Sequence, residues 1–160
     1  MLFRSADFLL IGTNTMHKVA PEIEAAIDIP LLHIADATAH RLQADGVTRV
    51  GLLGTRFTME QDFYKGRLQE RFGLEVLVPD DAARERVHRI IYDELCLGDI
   101  RESSQAEYLA IIADLAQAGA QAVILGCTEI ALLVGACQAA VPLYDTTAIH
   151  AEAAVTLALA

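Results

Sequence analysis

Short runs of mostly apolar residues alternate along the chain with longer stretches in which apolar positions recur every three or four residues. The short runs lie at 8–11, 31–34, 49–53, 75–78, 122–125 and 141–144 and predict strands. The longer stretches predict helices at 21–26, 37–44, 59–71, 82–97, 105–118, 130–139 and 148–159. Apolar strands separated by helices predict parallel sheets covered on both faces, the α/β class. Pro21 suits the first turn of a helix, where its missing N–H is not needed. Gly73 and Gly119 stand where helix C-caps are expected. No Pro/Gly/Ser-rich linker or low-complexity tract divides the chain.

The pattern also repeats once. Leu9-Leu10-Ile11-Gly12-Thr13-Asn14-Thr15 aligns with Val123-Ile124-Leu125-Gly126-Cys127-Thr128-Glu129. Ile29-Pro30-Leu31 follows the first copy and Val141-Pro142-Leu143 the second, at similar distances. Asp36-Ala37-Thr38-Ala39-His40 and Asp145-Thr146-Thr147-Ala148-Ile149-His150 complete the two series. The ordered match predicts two similarly built α/β lobes. The first comprises residues 6–46 with 144–160, and the second residues 47–143.

Composition narrows the function. The 160 residues are 54% hydrophobic and 21% charged, too apolar for a disordered chain. The longest uncharged run, residues 130–144, is interrupted by Gly135, Gln138 and Pro142 and falls short of the roughly 20 apolar residues of a spanning helix. A net charge of −10 argues against nucleic acid or an anionic membrane as the main partner. A small anionic substrate is still compatible with it, because a local site can oppose the global charge. Cys96, Cys127 and Cys137 form no CxxC, and there is no HExxH, so no metal site is expected. Each thiol is either a buried apolar filler or a reactive group in a reducing compartment, and a cytoplasmic location is expected. Arg4 and Asp7 interrupt any secretory h-region. Leu2-Phe3-Arg4-Ser5 matches what a common sequencing-adapter DNA encodes and is read as a scar on a truncated gene.

Ligands of parallel α/β sheets bind beyond the carboxyl ends of strands. Three predicted strand ends carry small polar residues there: Gly12-Thr13-Asn14-Thr15, Gly54-Thr55-Arg56-Phe57-Thr58 and Gly126-Cys127-Thr128-Glu129. Glycine lets backbone approach a ligand, and the N–H groups of a following helix can hold a carboxylate. The same threonines and asparagine also suit plain helix caps, and the residues alone leave both roles open. None of the three is a GxGxxG or a P-loop, so a nucleotide cradle is not expected. Cys127 lies between a strand and a helix, where peptide dipoles favour a thiolate, and its pKa is expected to fall. Cys96, in a helical run, and Cys137, among alanines, read as packing residues. His17 lies at a helix start, where contact with a ligand and a solvated or capping role are both open. His33, His40 and His88 have nothing convergent around them in sequence. His150 either orients a thiol or fills a gap between lobes. The clusters Arg67–Arg71 and Arg84–Arg89 read as solvated helix faces.

Four segments together resemble the cofactor-independent aspartate/glutamate racemase family. They are Gly12-Thr13-Asn14-Thr15-Met16-His17-Lys18, Gly51-Leu52-Leu53-Gly54-Thr55, Leu125-Gly126-Cys127-Thr128-Glu129 and Pro142-Leu143-Tyr144-Asp145-Thr146-Thr147. The resemblance runs from Asp7 onward, and a Glu after Cys-Thr is similar to the aspartate-racemase branch. It implies two pseudo-symmetric Rossmann-like lobes with the site between them, a homodimer, and no pyridoxal phosphate or other cofactor. It also implies proton transfer at the Cα of an acidic amino acid by two groups on opposite faces. Asn14, Thr55 and Thr128 match positions expected to clamp the substrate carboxylate, with Thr15, Thr58 and Glu129 beside them. No motif marks a group for the distal carboxylate, and Arg56 is the candidate.

The chain departs from the family pattern twice. Thr13 stands where the first lobe's cysteine is expected, as in a subfamily that takes one enantiomer preferentially. The expectation is that Cys127 deprotonates the L-enantiomer while Thr13, or a water it holds, reprotonates the opposite face. The family also has a strand, loop and helix before its Asn-Thr motif, so the first lobe is expected to be incomplete and the 160 residues inactive alone. Two other readings remain. One is a maleate isomerase or arylmalonate decarboxylase-like enzyme on the same scaffold, and the other is a non-catalytic ligand-binding module.

Overall fold

The computed structural model describes residues 6–160, and Leu2-Phe3-Arg4-Ser5 lies outside the described residues. The elements in chain order are β1 (Leu9–Leu10), α1 (Ala20–Ala26), β2 (Leu31–Leu32), α2 (Ile34–Ala44), β3 (Arg49–Gly54), α3 (Arg56–Glu60) and α4 (Lys65–Phe72). They continue as β4 (Glu75–Leu77), α5 (Asp81–Asp93), α6 (Glu102–Gln117), β5 (Ala122–Gly126), α7 (Ile130–Val134), β6 (Leu143–Asp145) and α8 (Thr146–Ala158). Every strand pairing is parallel. β1 and β2 form a two-stranded sheet, and the other strands form a four-stranded sheet in the order β4-β3-β5-β6. The fold is therefore α/β with parallel sheets.

The period of two along the central strands sorts the core into two layers. Leu53, Val123 and Leu125 face Val87 and Ile91 of α5, Tyr108 and Ile112 of α6, and Ile130 of α7. Their chain neighbours Val50, Leu52, Ala122 and Ile124 face Leu42 of α2, Tyr64 at the start of α4, Leu68 of α4, and Ile149 of α8. Both faces of β3 and β5 are thus covered, which is why these strands carry uninterrupted apolar runs. Gly73 ends α4 in the left-handed region (φ 67°), a conformation that glycine takes without a side-chain penalty. Pro21 occupies the first turn of α1.

Local chemistry moved several predicted boundaries. The expected strand 31–34 stops at Leu32 because His33 caps α2, its Nδ1 accepting the Ala35 N–H at 3.1 Å. The expected helix 59–71 is two helices. Thr55 caps the first of these early, accepting the Thr58 N–H, and Gln61 then turns extended and breaks the run. The expected helix 82–97 ends at Asp93, followed by a 3-10 turn over Leu95–Leu97. The expected helix 130–139 ends at Val134, where Gly135 weakens further propagation. The basic clusters are also less solvated than expected. Arg67 pairs with Asp36 through two hydrogen bonds of 2.5 and 2.7 Å, and Arg84 lies against Glu60, Asp81 and the Pro79 carbonyl. Among the described residues, no helix is long and apolar enough to cross a membrane.

The central strands set the stability expectation. Leu52 is fully buried, so Leu52→Ala should destabilise the fold by about 2–5 kcal/mol in urea denaturation, lost transfer energy adding to the cavity left behind. Leu132, 70% exposed, should change stability by no more than about 0.5 kcal/mol on the same substitution.

Candidate active site

β3 and β5 end in paired glycines, Gly54 opposite Gly126. A Cβ on Gly126 would come within 2.8 Å of the Leu53 carbonyl, and one on Gly54 within 3.0 Å of the Gly126 carbonyl. Only bare backbone lets the two ends close flush and release Thr55 and Cys127 side by side. The loop after β1 meets them. Thr13, Asn14, Thr15 and Met16 from that loop, Thr55 from β3, and Cys127, Thr128 and Glu129 from β5 all line one cavity of about 430 Å³. The three strand ends singled out by sequence therefore share one space, with Thr13 and Cys127 both on its wall.

Hydrogen bonds fix much of that wall. The Thr146 hydroxyl donates to the Leu125 carbonyl at 2.9 Å, so its lone pair is free to accept the Asn14 amide N–H at 3.0 Å. This sequence of donors orients the Asn14 amide and leaves its Oδ1 buried without a partner among the described residues. The hydroxyls of Thr15, Thr55 and Thr58 form a chain with spacings of 3.4 and 3.2 Å. Thr58 is fully buried and reaches the wall only through Thr55.

The thiol differs most from expectation. Burial pushes the Cys127 thiol up to about 12, and the Glu129 carboxylate adds to the rise. The S–H donates to Glu129 Oε2 at 2.9 Å, and the Thr128 hydroxyl donates to the same oxygen at 2.6 Å. Burial opposes the charge on Glu129, but the two donors outweigh it and hold the carboxyl below its ordinary range. The strand-end position thus yields a protonated thiol beside an anionic carboxylate, because desolvation and a neighbouring charge outweigh peptide dipoles.

Two further candidates lie away from the cavity wall. Arg56 is turned outward, in ion pairs with Glu60 at 3.2 Å and Glu85 at 2.8 Å. His150 does not line the cavity, and its Nε2 donates to the Leu32 carbonyl at 2.8 Å. Residues missed by sequence also appear. Cys96, read as packing, is exposed and lines the cavity with Ile91 and Tyr92. The chain leaves the helix at Glu94, between Tyr92 and Cys96, so no regular helical spacing marked the two together. Cys137 is half-buried away from the site, its Sγ 3.8 Å from the Leu133 carbonyl. Thr146, which orients Asn14, had no signal beyond its place in the repeat and in the last segment of the family resemblance. His33 and His150 converge with His17 on a buried cluster, which no local spacing disclosed.

Comparison with known proteins agrees with this architecture. A crystal structure assigned as an Asp/Glu racemase from Yersinia pestis superposes with a TM-score of 0.93 at 58% identity, over 97% of this chain and 67% of that one. An aspartate racemase homologue from Pyrococcus horikoshii OT3 superposes with a TM-score of 0.87 at 34% identity, over 97% and 68%. Among curated proteins, the broad specificity amino-acid racemase RacX of Bacillus subtilis is 27% identical over 154 residues, 96% of this chain and 66% of that protein. The chain thus spans about two thirds of the length of these relatives. Residues 3–154 match the Asp/Glu/Hydantoin racemase family, and the chain belongs to it.

Proposed function

We propose that the cavity binds an amino acid and inverts its Cα by direct proton transfer, converting an L-amino acid to the D-form without a cofactor. The observation that carries this is the delivery of Thr13 and Cys127 to one cavity by separate strand ends. Inversion needs groups on both faces of one carbon, and two strand ends across a cleft can supply them. Cys127 takes the L-face and Thr13, or a water on it, the opposite face.

Because the thiol is protonated at rest, its proton must leave before it can act as a base. Glu129 is the acceptor in contact. The S–H bond breaks, the proton passes to the Glu129 carboxylate, and the thiolate takes the Cα proton. The electron pair left on Cα delocalises into the substrate carboxylate. The Thr13 side then delivers a proton to the other face, and solvent resets Thr13 and Glu129. A bound α-ammonium favours the first transfer, since a cation beside the thiol stabilises its ionised form. The unpartnered Oδ1 of Asn14 is a fitting acceptor for that ammonium, and the hydroxyls of Thr15, Thr55 and Thr128 are fitting donors for the α-carboxylate.

The resemblance points to aspartate or glutamate as substrate. The cavity wall favours a second reading for the side chain. Its described lining residues include Met16, Ile91 and Tyr92 but neither Lys nor Arg, a surface better matched to an uncharged side chain. Rates with L-aspartate, L-glutamate and L-methionine under identical conditions separate the two.

Three outcomes test the mechanism in deuterated water, followed by NMR of the substrate Cα–H. Cys127→Ser should abolish exchange from L-amino acids, and exchange at the wild-type rate would overturn the assignment. Glu129→Gln should move two readouts in opposite directions. Removing the carboxylate lowers the Cys127 pKa, so iodoacetamide labelling of that thiol at pH 8 should quicken, while Cα exchange should slow about a hundredfold with the proton acceptor gone. Parallel changes in both would contradict the relay. Asn14→Ala should lower kcat/KM about 10- to 100-fold, the range of a hydrogen bond to a charged group.

A further inference from the structure

Beneath the Thr13 end of the cavity lies the buried trio of His17, His33 and His150. The His17 ring centroid is 4.3 Å from that of His33 and 6.0 Å from that of His150. His17 Nδ1 is 2.8 Å from the Thr13 carbonyl oxygen, which can only accept, so Nδ1 carries the proton. His17 Nε2 is 3.2 Å from the Ile34 backbone nitrogen, which can only donate, so Nε2 is bare. The surroundings therefore specify one neutral tautomer.

This matters because the segment after β1, residues 12–14 leading into a single 3-10 turn over Thr15–Val19, has little other support among the described residues. Its sheet has two strands with two paired positions, and such a ribbon is marginal alone. Three side-chain ties hold the loop: Asn14 to Thr146, Thr15 to Thr55, and His17 to α2. Among these, the His17 tie alone grips the backbone of Thr13 itself.

We propose that His17, as the neutral Nδ1–H tautomer, is the positioning residue of the site, fixing the Thr13 carbonyl and thereby the Thr13 and Asn14 side chains against the first turn of α2. The proposal rests on the reading of Thr13 and Asn14 as substrate-facing groups. His17 touches no reacting atom. It acts through the loop.

Protonation would undo the strut by removing the acceptor for the Ile34 N–H. Burial lowers the His17 pKa, partly opposed by the Thr13 carbonyl, with His150 and Arg67 adding to the fall. Burial also takes His33 to about 3, with His17 and Arg67 contributing. Arg67 and Arg71 from α4 and His150 from α8 disfavour a cation there, and Lys18 lies beside the cluster. Asp36 of α2 favours a cation but is engaged by Arg67, and Asp62 and Glu70 line the adjoining surface. Both histidines have folded pKa values below the unfolded 6.5, so their contribution is complete above pH 6.5 and is lost as pH falls from there towards the folded values.

The test uses the whole chain. Nitrogen-15 imidazole spectra at pH 7.5 should show His17 protonated at Nδ1 and bare at Nε2; an Nε2–H tautomer overturns the proposal. Amide exchange at residues 13–17 should quicken about tenfold in His17→Ala and by a smaller factor in His17→Asn, whose amide N–H can replace Nδ1–H but which leaves the Ile34 N–H without its acceptor. In wild type, protection of the same amides, corrected for intrinsic rates, should fall between pH 6.5 and 5. Equal protection in His17→Ala and wild type overturns the proposal. Should His17→Ala fail to fold, the tautomer and the His17→Asn exchange decide alone. With L-aspartate, Cα exchange should show a lowered kcat in His17→Ala and partial recovery in His17→Asn, whereas a general structural defect would lower Tm in both without that recovery. If the wild-type chain exchanges no amino-acid Cα proton, the reading of these 160 residues as active by themselves fails while the spectra and amide exchange still decide the strut.

Discussion

The contact of bare backbone between Gly54 and Gly126 is the constraint on which the site depends. A methyl group at either position meets a carbonyl oxygen at 3.0 Å or less. With glycine at both, β3 and β5 stay in register to their last residue, and Thr55 and Cys127 leave the sheet at the same level. The two buried layers hold those strands from both sides, so the position of the cavity follows from the core. Chemistry at the strand ends therefore inherits the rigidity of the most buried part of the molecule.

Within the cavity, electrostatics decides what Cys127 can do. A thiol poised as thiolate would need a cation or well-aimed dipoles, and this one instead donates to an anion in a desolvated wall. That arrangement stores the proton on sulfur and places its acceptor 2.9 Å away. On the proposed reading, basicity then appears when the ammonium of a bound amino acid changes the local charge.

Much of this was legible in the residues. Glycine followed by small polar groups at three strand ends identified the cavity: the β3 and β5 ends of one parallel sheet face the same way, and the loop after β1, from the other sheet, meets them. The two-layer core followed from apolar runs that only a doubly covered sheet needs. What was not legible depended on contacts between distant segments. Asp36 and Asp145 align in the repeat, yet Asp145 caps α8 while Asp36 pairs with Arg67. The local sequence around each aspartate is similar, and the partner that separates their roles lies on α4. The thiol pKa went the same way: position in the chain suggested a dipole, while burial and Glu129 set the outcome. Arg56, expected at the substrate, is held outward by Glu60 and Glu85, acids whose proximity only the folded α3 and α5 create.

The most direct test of the central claim is a crystal structure of this chain with an L-amino acid bound. The account predicts the substrate in the cavity between the β1, β3 and β5 ends, its Cα about 3–3.5 Å from the Cys127 sulfur and Thr13 on the opposite face. An amino acid seated elsewhere, or one whose Cα has Cys127 and Thr13 on the same side, would contradict it.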